Sequence, residues 1–353
     1  MSNTKSPNEN KPRSRQSRFG KYSEAKRLEL IEKVFIKYPR LKKLRDRIEF
    51  CRTHSQTAAE AECMLLSGDT GAGKSTLVKW YASDFPVRDE PQERIQPVLV
   101  VLVPSPATVK GLATEMLKVL GDPAADRGAV SSQTLRLRKF IAACKVELII
   151  LDEFQHFDDR QSKNVLKTIS DWLKNLINQC NVPIVLVGMP GCESVLDQKG
   201  NEQLRRRFAA RDEILPFRWD TPAAINEFRQ VLKAIDDALP LMKDSHLADV
   251  KTAFLIYAAT NGVIDYVMDL LRWAAKLAIR SGLEQVNHGL LAQAYEERIA
   301  QAFPKRPNPF NSKIEISNRK EAAKRANNAS NGTNKRVKPR KPKRPISDVL
   351  SLR

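Results

Sequence analysis

The chain has 353 residues and a formal net charge of +19, so it is long enough for two or three domains with a sizeable hydrophobic core. Most of the charge lies at the two ends: residues 1–21 contain six Lys or Arg and one acidic residue, residues 304–353 contain fifteen and three, and +2 remains for the residues between. The five cysteines lack metal-ligand spacing, and we find neither a secretory leader nor an apolar run of membrane length, so we expect a cytoplasmic protein that contacts no membrane.

The N-terminal part is predicted to be an arm followed by helices. Residues 1–22 are polar, basic and interrupted by Pro and Gly, which predicts a disordered basic arm. Residues 23–60 place apolar side chains at three- and four-residue intervals, which predicts helices broken at Tyr38-Pro39. Basic segments of this kind bind polyanions such as nucleic acid, and the alternative is a solubilising terminus.

Residues 61–218 alternate short apolar runs with helical patterns, which predicts an α/β domain with a parallel sheet and helices on both faces. The predicted strands cover residues 63–66, 98–103, 148–151, 182–187 and, as a short fifth strand, 214–217. The predicted helices cover residues 75–82, 109–120, 135–143 and 162–179.

Beyond residue 218 only helical patterns follow. We call residues 219–303 the lid, and its helices are predicted to run from Thr221-Pro222 to residue 239 and over residues 245–260, 263–281 and 289–302. Residues 304–353 are predicted to form a flexible basic tail with an apolar docking tip, which contains Ile346, Val349, Leu350 and Leu352. The alternative for this tip is that it folds back onto the lid.

One motif indicates the chemistry. Residues 68–75, the phosphate loop, match the pattern G-x-x-x-x-G-K-[ST] between a predicted strand and a predicted helix. Glycines let the backbone wrap around phosphate oxygens, Lys74 is expected to reach the β- and γ-phosphates, and the Ser75 hydroxyl is expected to bind Mg²⁺. The predicted nucleotide-binding residues are Gly68, Asp69, Thr70, Gly71, Ala72, Gly73, Lys74, Ser75 and Thr76.

A second motif supplies two carboxylates. Four apolar residues, 148–151, run directly into Asp152 and Glu153. In a buried parallel strand this ending places Asp152 beside the metal and Glu153 beside an attacking water. No guanine-reading N-K-x-D motif follows, so the predicted cofactors are ATP and Mg²⁺, and the predicted activity is ATP hydrolysis.

An α/β core followed by a helical lid is the layout of the AAA+ class of ATPases. Within that class the chain resembles the TniB/TnsC-like regulators of DNA transposition. The resemblance rests on the order and spacing of several segments between about residues 30 and 300. These are Tyr38-Pro39-Arg40, residues 65–75, residues 101–104, Ile149-Ile-Leu-Asp-Glu-Phe-Gln-His156, residues 185–188 and Glu202-Gln-Leu-Arg-Arg-Arg-Phe208.

The resemblance implies a function and partners. Such proteins use ATP to assemble rings or helical filaments on duplex DNA and connect a target-selection adaptor protein to transposase subunits. It also implies an arginine finger that reaches the neighbouring subunit's nucleotide, with Arg207 as the first candidate and Arg206 as the second. Thr108 and Lys110 are the candidate DNA contacts, with a solvated helix turn as the alternative.

Two positions depart from the AAA+ pattern. The class carries a polar side chain just after the fourth strand, where this chain has Gly188 and Met189. It also commonly carries a lid arginine where this chain has Asp265. We therefore expect slow hydrolysis, with bound ATP mainly holding an assembly together. Two other functions fit the same motifs, namely a helicase-loader or replication-initiator ATPase and a nucleotide-switched signalling scaffold.

Overall fold

The computed structural model describes residues 15–157, 163–197 and 202–311. Seven strands occur in this part of the chain: β1 (Met64–Gly68), β2 (Arg88–Asp89), β3 (Arg94–Ile95), β4 (Val98–Leu102), β5 (Leu148–Asp152), β6 (Ile184–Gly188) and β7 (Ala210–Ile214). Five of them form a parallel sheet in the order β4-β5-β6-β1-β7, and β2 pairs with β3 in a short antiparallel hairpin. The strands that carry the two sequence motifs, β1 and β5, therefore lie on either side of β6.

The helices of the described residues alternate with these strands and then continue without them. They are α1 (Arg15–Phe19), α2 (Glu24–Glu32), α3 (Pro39–Ser55), α4 (Lys74–Ala82), α5 (Val109–Leu120), α6 (Val130–Ala143), α7 (Lys163–Cys180), α8 (Glu202–Arg207), α9 (Pro222–Ala238), α10 (Val250–Thr260), α11 (Ile264–Arg280) and α12 (His288–Arg298). The predicted cap at Thr221 is confirmed, because its hydroxyl accepts a hydrogen bond from the Ala224 amide.

The sheet divides the core into two layers. Successive side chains of a strand point to opposite faces, so Met64 and Leu66 join one apolar cluster while Cys63 and Leu65 join the other. The first cluster also contains side chains of α3, α4 and the lid, and the second contains side chains of α5, α6 and α7. The prediction of a parallel sheet covered on both faces is confirmed.

Three predicted boundaries inside the fold are wrong. The fifth strand is β7, residues 210–214, and not 214–217. It is a half-exposed edge strand, and its three charged residues, Arg211, Asp212 and Glu213, interrupt the apolar run by which a strand is recognised in the sequence. Helix α6 begins five residues before the predicted start. Residues 245–249 are not helical, because the buried carboxylate of Asp236 accepts hydrogen bonds from the amides of Ser245 and Leu247 and holds them in a turn.

The predicted arm and tail both extend too far into the folded part of the chain. Arg15 donates to the Asp236 carbonyl at 2.8 Å, and Phe19 is buried. At the other end, Arg306 donates to the Ala258 carbonyl at 2.8 Å, and Asn308 donates to the Ala292 carbonyl at 2.9 Å. Residues 15–22 and 304–311 therefore pack with the lid, and the predicted docking tip at residues 346–353 lies outside the described residues.

The lid is built around α11, which contacts α2, α10 and α12. Arg27 of α2 reaches across to it: the Arg27 Nε donates to the Pro240 carbonyl at 2.9 Å, and both terminal nitrogens bind the Glu284 carboxylate. Helix α2 is thus tied to the lid. In the described part of the chain, no single helix has the length and apolar composition to cross a membrane, and only α10 and α11 together, across a bend of 117°, reach that length and composition.

Candidate nucleotide-binding site

The phosphate loop joins β1 to α4 in the form that an anion site needs. Gly71 and Gly73 have φ angles of +77° and +97°, in the left-handed region that favours glycine. Gly73 is the residue that caps α4, and no side chain caps the helix in its place. The first amides of α4 therefore remain available as donors, which is how helix N-termini bind phosphate groups.

Lys74 is folded into this loop. Its side chain is buried, and its Nζ donates to the carbonyl oxygens of Gly68 and Asp69 at 2.6 and 2.9 Å. Burial lowers the pKa of Lys74, while the nearby carboxylates of Glu153 and Asp152 act in the opposite direction. The ammonium group thus lies at the loop close to several carboxylates. Phosphate oxygens can take the place of the two carbonyl oxygens as acceptors of its hydrogen bonds.

The two predicted carboxylates stand at the end of β5. Asp152 is buried, and one of its oxygens accepts the Glu153 amide at 2.9 Å. Glu153 opens into a cleft of about 220 Å³, which we call the phosphate cleft. It is lined by Thr70, Gly71, Gly73, Lys74, Ser75, Thr76, Glu153, Met189 and Asp265. A serine hydroxyl at this cleft and the buried Asp152 carboxylate are hard oxygen donors of the type that Mg²⁺ prefers, so the residues fit the predicted metal.

A polar side chain does reach the end of β6, although sequence reasoning found none at Gly188 and Met189. It comes from Gln155, two residues beyond Glu153. The Gln155 Oε1 accepts the Met189 amide at 3.1 Å, and the Gln155 Nε2 donates to the Glu153 carboxylate. Only the proximity of β5 and β6 reveals this arrangement, because the residues that meet are more than thirty positions apart.

The lid closes the other side of the phosphate cleft. The Asp265 amide donates to the Gly71 carbonyl at 3.2 Å, so the start of α11 touches the phosphate loop directly. A Cβ atom on Gly71 would lie 3.1 Å from the Asp265 Cβ, which shows how closely the two backbones approach. The Asp265 side chain therefore lines the cleft, where its negative charge repels a phosphate group.

An apolar cavity, the base cavity, adjoins the phosphate loop between the lid and the segment that joins α2 to α3. Its lining residues are Val34, Phe35, Ile36, Tyr38, Leu41, Gly73, Thr76, Ile264, Asp265, Met268 and Arg272. The apolar spacing predicts a helix that includes Val34 and Phe35, but α2 ends at Glu32, so both residues are free to line the cavity. Arg272 donates to the Val34 carbonyl at 2.7 Å, and its buried Nε has no hydrogen-bond partner among the described residues.

The two predicted finger arginines differ in environment. The Arg207 side chain is 12 % exposed, and one of its terminal nitrogens lies 3.4 Å from a Glu60 carboxylate oxygen. Arg206 is exposed and forms no ion pair with any described residue. Both lie at the end of α8, directly before the edge strand β7.

The predicted DNA contacts lie after β4, at the opposite edge of the sheet. Thr108 caps α5, because its hydroxyl accepts the Gly111 amide at 2.9 Å. Lys110 is exposed and has no ion pair with a described residue. Thr108 therefore has a structural role whether or not DNA binds, whereas the Lys110 ammonium group is available.

The family model for the bacterial TniB protein matches residues 26–219. The chain belongs to the TniB family. The match covers α2, α3, the whole sheet and the phosphate loop, and ends where the lid begins. A search of curated protein sequences gave no match.

Solved structures show the fold of this TniB-family chain. Cdc6p of Pyrobaculum aerophilum is similar with a TM-score of 0.56 and 13 % identity, over 86 % of this chain and 84 % of that one. The ORC1 protein of Aeropyrum pernix in complex with DNA gives 0.53 and 19 %, over 84 % and 73 %. The ORC2 protein of the same organism, in ADPNP–ADP complexes, gives 0.54 and 16 %, over 76 % and 70 %. The fold is that of AAA+ ATPases, as the sequence predicted.

Proposed function

We propose that this TniB-family protein is an ATP-dependent regulator of DNA transposition, which assembles on duplex target DNA and connects a target-selection adaptor protein to transposase subunits. The observation that carries the proposal is a nucleotide site with all its parts in a chain of this family. The parts of this site lie together at the carboxyl ends of β1 and β5: the loop amides, Lys74, the two carboxylates and the base cavity.

Each part of the site has a role in binding or hydrolysing ATP. Lys74 binds the β- and γ-phosphates, and Ser75 and Asp152 hold Mg²⁺, which neutralises phosphate charge when it is bound. The base cavity takes the adenine ring, because its walls are mainly apolar and it adjoins the phosphate loop. Glu153 accepts the proton of the attacking water. The ADPNP–ADP complexes of the ORC2 protein, which shares the fold, support a nucleotide in this place.

Assembly places an arginine of one subunit on the nucleotide of the next. Of the two candidates we now favour Arg206 over Arg207, because Arg206 is exposed and Arg207 is held against Glu60. The Arg206 guanidinium can bind a phosphate of the neighbouring subunit without breaking an ion pair with a described residue of its own subunit. Such an arrangement makes hydrolysis dependent on a ring or a helical filament.

Duplex DNA is the proposed track of the assembly. The basic ends of the chain and Lys110 supply positive charge for sequence-independent contacts with phosphates. The ORC1 structure in complex with DNA shares the fold and supports nucleic acid as a partner class. The same likeness makes a replication-initiator ATPase the second candidate, which would load other proteins at an origin instead of recruiting a transposase.

Electron microscopy and filter binding with duplex DNA test this function. We expect wild-type protein and Glu153→Gln to form rings or filaments on DNA with a non-hydrolysable ATP analogue, and Lys74→Ala to form none. Assembled protein is expected to retain transposase subunits in a pull-down. Assembly without retention of transposase would favour the initiator function, and nucleotide-driven assembly that ignores DNA would favour a signalling scaffold.

The DNA contact needs its own control. Lys110→Ala is expected to weaken DNA binding about equally for unrelated sequences and to reduce its dependence on salt, since one phosphate contact is lost. Lys79→Ala removes an exposed lysine from α4 and serves as the matched variant that leaves binding unchanged. Thr108 is changed only to Ser, because Thr108→Ala would also remove the cap of α5.

A further inference from the structure

A hydrogen-bonded bridge joins the ends of two neighbouring strands at the phosphate cleft. Gln155 lies in the 3-10 turn Phe154–Phe157 that follows β5. Its Nε2 donates to the Glu153 carboxylate, and its Oε1 accepts the amide of Met189, the first residue after β6, at 3.1 Å. One side-chain amide therefore connects the proposed catalytic base to the strand beside it.

The chemistry of the partners permits one orientation of this amide. The Met189 N–H can only donate, so the carbonyl oxygen of Gln155 must face it. The NH₂ group must then face Glu153, and an ionised carboxylate can only accept. The bond to Glu153 is consequently charge-assisted, and it fixes the direction in which this carboxylate points.

The surrounding chain is shaped to hold the bridge. Phe154 and Phe157 are fully buried and anchor the turn on both sides of Gln155. Glu153 has a φ angle of +59°, which turns the chain back toward β6. Gly188 leaves the necessary space, because a Cβ atom there would lie 3.1 Å from the Gln155 Oε1. Several independent features of the fold thus converge on one side chain.

We propose that Gln155 is a positioning residue for ATP hydrolysis, which holds the Glu153 carboxylate in the phosphate cleft and takes the place of the polar side chain that is missing after β6. This inference rests on the proposed ATPase function. In the reaction the water oxygen bonds to the γ-phosphorus as the bond from that phosphorus to the β–γ bridging oxygen breaks. The water proton passes to Glu153, and ADP and phosphate are released. Gln155 acts on the water only through Glu153.

Two substitutions of Gln155 separate its contacts from its shape. Gln155→Met keeps the length of the side chain and removes both hydrogen bonds. We expect it to lower kcat about 10- to 100-fold, since a small displacement of a catalytic group has an effect of this order. The KM for ATP and the Kd of the ATP analogue are expected to stay within about twofold, because Lys74 and the loop amides remain. Gln179→Met, an exposed glutamine of α7, is the matched control with unchanged kcat.

The second substitution, Gln155→Glu, keeps an acceptor for the Met189 amide and removes the NH₂ group that holds Glu153. A carboxylate in its place repels Glu153 and displaces it from the attacking water. We expect kcat to fall at least as far as in Gln155→Met, with the KM for ATP again within about twofold. A residue with a purely structural role would lower the melting temperature without changing the kcat of the folded protein.

The outcomes distinguish the two levels of the proposal. An unchanged kcat in Gln155→Met or in Gln155→Glu would overturn the positioning role while leaving the ATPase intact. A higher kcat in Gln155→Met would also overturn it, because the bridge would then restrain Glu153. If the wild type shows no ATP turnover, or only turnover that persists in Glu153→Gln, the ATPase function itself is overturned. If Gln155→Met does not fold, the kcat of Gln155→Glu decides.

Discussion

The two sides of the nucleotide site are built in different ways. The phosphate side consists of short continuous segments at the ends of β1 and β5, and its ammonium and carboxylate groups are the ones that phosphoryl transfer uses. The lid side is assembled from residues far apart in the sequence, such as Val34 and Arg272, which are 238 positions apart, and it presents the carboxylate of Asp265 to the cleft. In the proposed function, the phosphate side therefore determines whether nucleotide binds and reacts, and the lid side adjusts how tightly it is held.

The attachment of α2 strengthens this contrast. Arg27 ties α2 to the lid through Pro240 and Glu284. Helix α3 packs against α4, and it forms ion pairs both with the sheet, from Arg47 to Asp212 of β7, and with the lid, from Arg40 to Glu227 of α9. The base cavity lies under the segment between these two helices. A movement of the lid relative to the sheet would therefore bend both chain connections between them, residues 33–38 beside this cavity and residues 215–221 between β7 and α9. In the proposed function, the first of these connections would couple nucleotide binding to the position of the lid.

The largest effect is expected on the phosphate side. Lys74→Ala removes two charge-assisted contacts with the phosphates, at about 1.5–3 kcal/mol each and roughly 4.5 kcal/mol together, so the affinity for ATP should fall on the order of 2000-fold. Isothermal titration of the full-length protein measures this change. Lys79→Ala, on the exposed face of the same helix, should bind ATP normally. Equal affinity in the two variants would remove Lys74 from the site.

The next effect concerns the arginine supplied by a neighbouring subunit. Arg206→Ala should lower turnover on the order of 1000-fold, as loss of an arginine finger does in related chemistry, and leave ATP binding by isolated subunits intact. Mixing it with Lys74→Ala should partly restore turnover, because each variant then lacks a different half of the shared site. Arg207→Ala should instead lower the melting temperature, since it breaks the contact with Glu60. The opposite pattern would return the assignment to Arg207.

A smaller change is expected on the lid side, with the opposite sign. Asp265→Asn removes a negative charge that faces the phosphates and should tighten ATP binding about fivefold, or about 1 kcal/mol. The gain should shrink as salt is added, because added ions screen the repulsion. Asp269→Asn is the control on the same helix, where the carboxylate pairs with Arg298. Weaker binding in Asp265→Asn would mean that this carboxylate helps to hold the nucleotide.

The two sides of the site also differ in how much of them can be predicted from the sequence. The phosphate loop, Asp152 and Glu153 could be placed because each motif lies in one segment and the buried strands β1, β5 and β6 have continuous apolar runs. Gln155 and the base cavity could not, because their partners arrive from other strands and from the lid. The edge strand β7 was misplaced because one of its faces is solvated and charged. The environment of Arg207 depends on Glu60, which the motif does not contain.

The last expected effect is on the stability of the lid, which the N-terminal segment supports, and not on nucleotide binding. Removal of residues 1–22 exposes the surface that Phe19 covers and deletes Arg15, so the free energy of unfolding should fall by about 2 kcal/mol and the melting temperature by a few degrees. Removal of residues 1–14 is the control, because it leaves both contacts in place. A melting temperature that is equal in the two truncations would show that α1 contributes nothing to the lid.

The pH dependence of this last effect gives it a sharper test. Burial raises the pKa of Asp236 to about 6, and Arg15 counteracts the rise because its guanidinium lies 3.4 Å from the carboxylate. Without Arg15 the pKa should rise further. A carboxyl group with a raised pKa binds its proton more tightly in the folded state, so the stability it contributes is lost as pH increases through that pKa. Removal of residues 1–22 should therefore lower the free energy of unfolding more at pH 8 than at pH 5. A larger loss of unfolding free energy at pH 5 would exclude Asp236 as its cause.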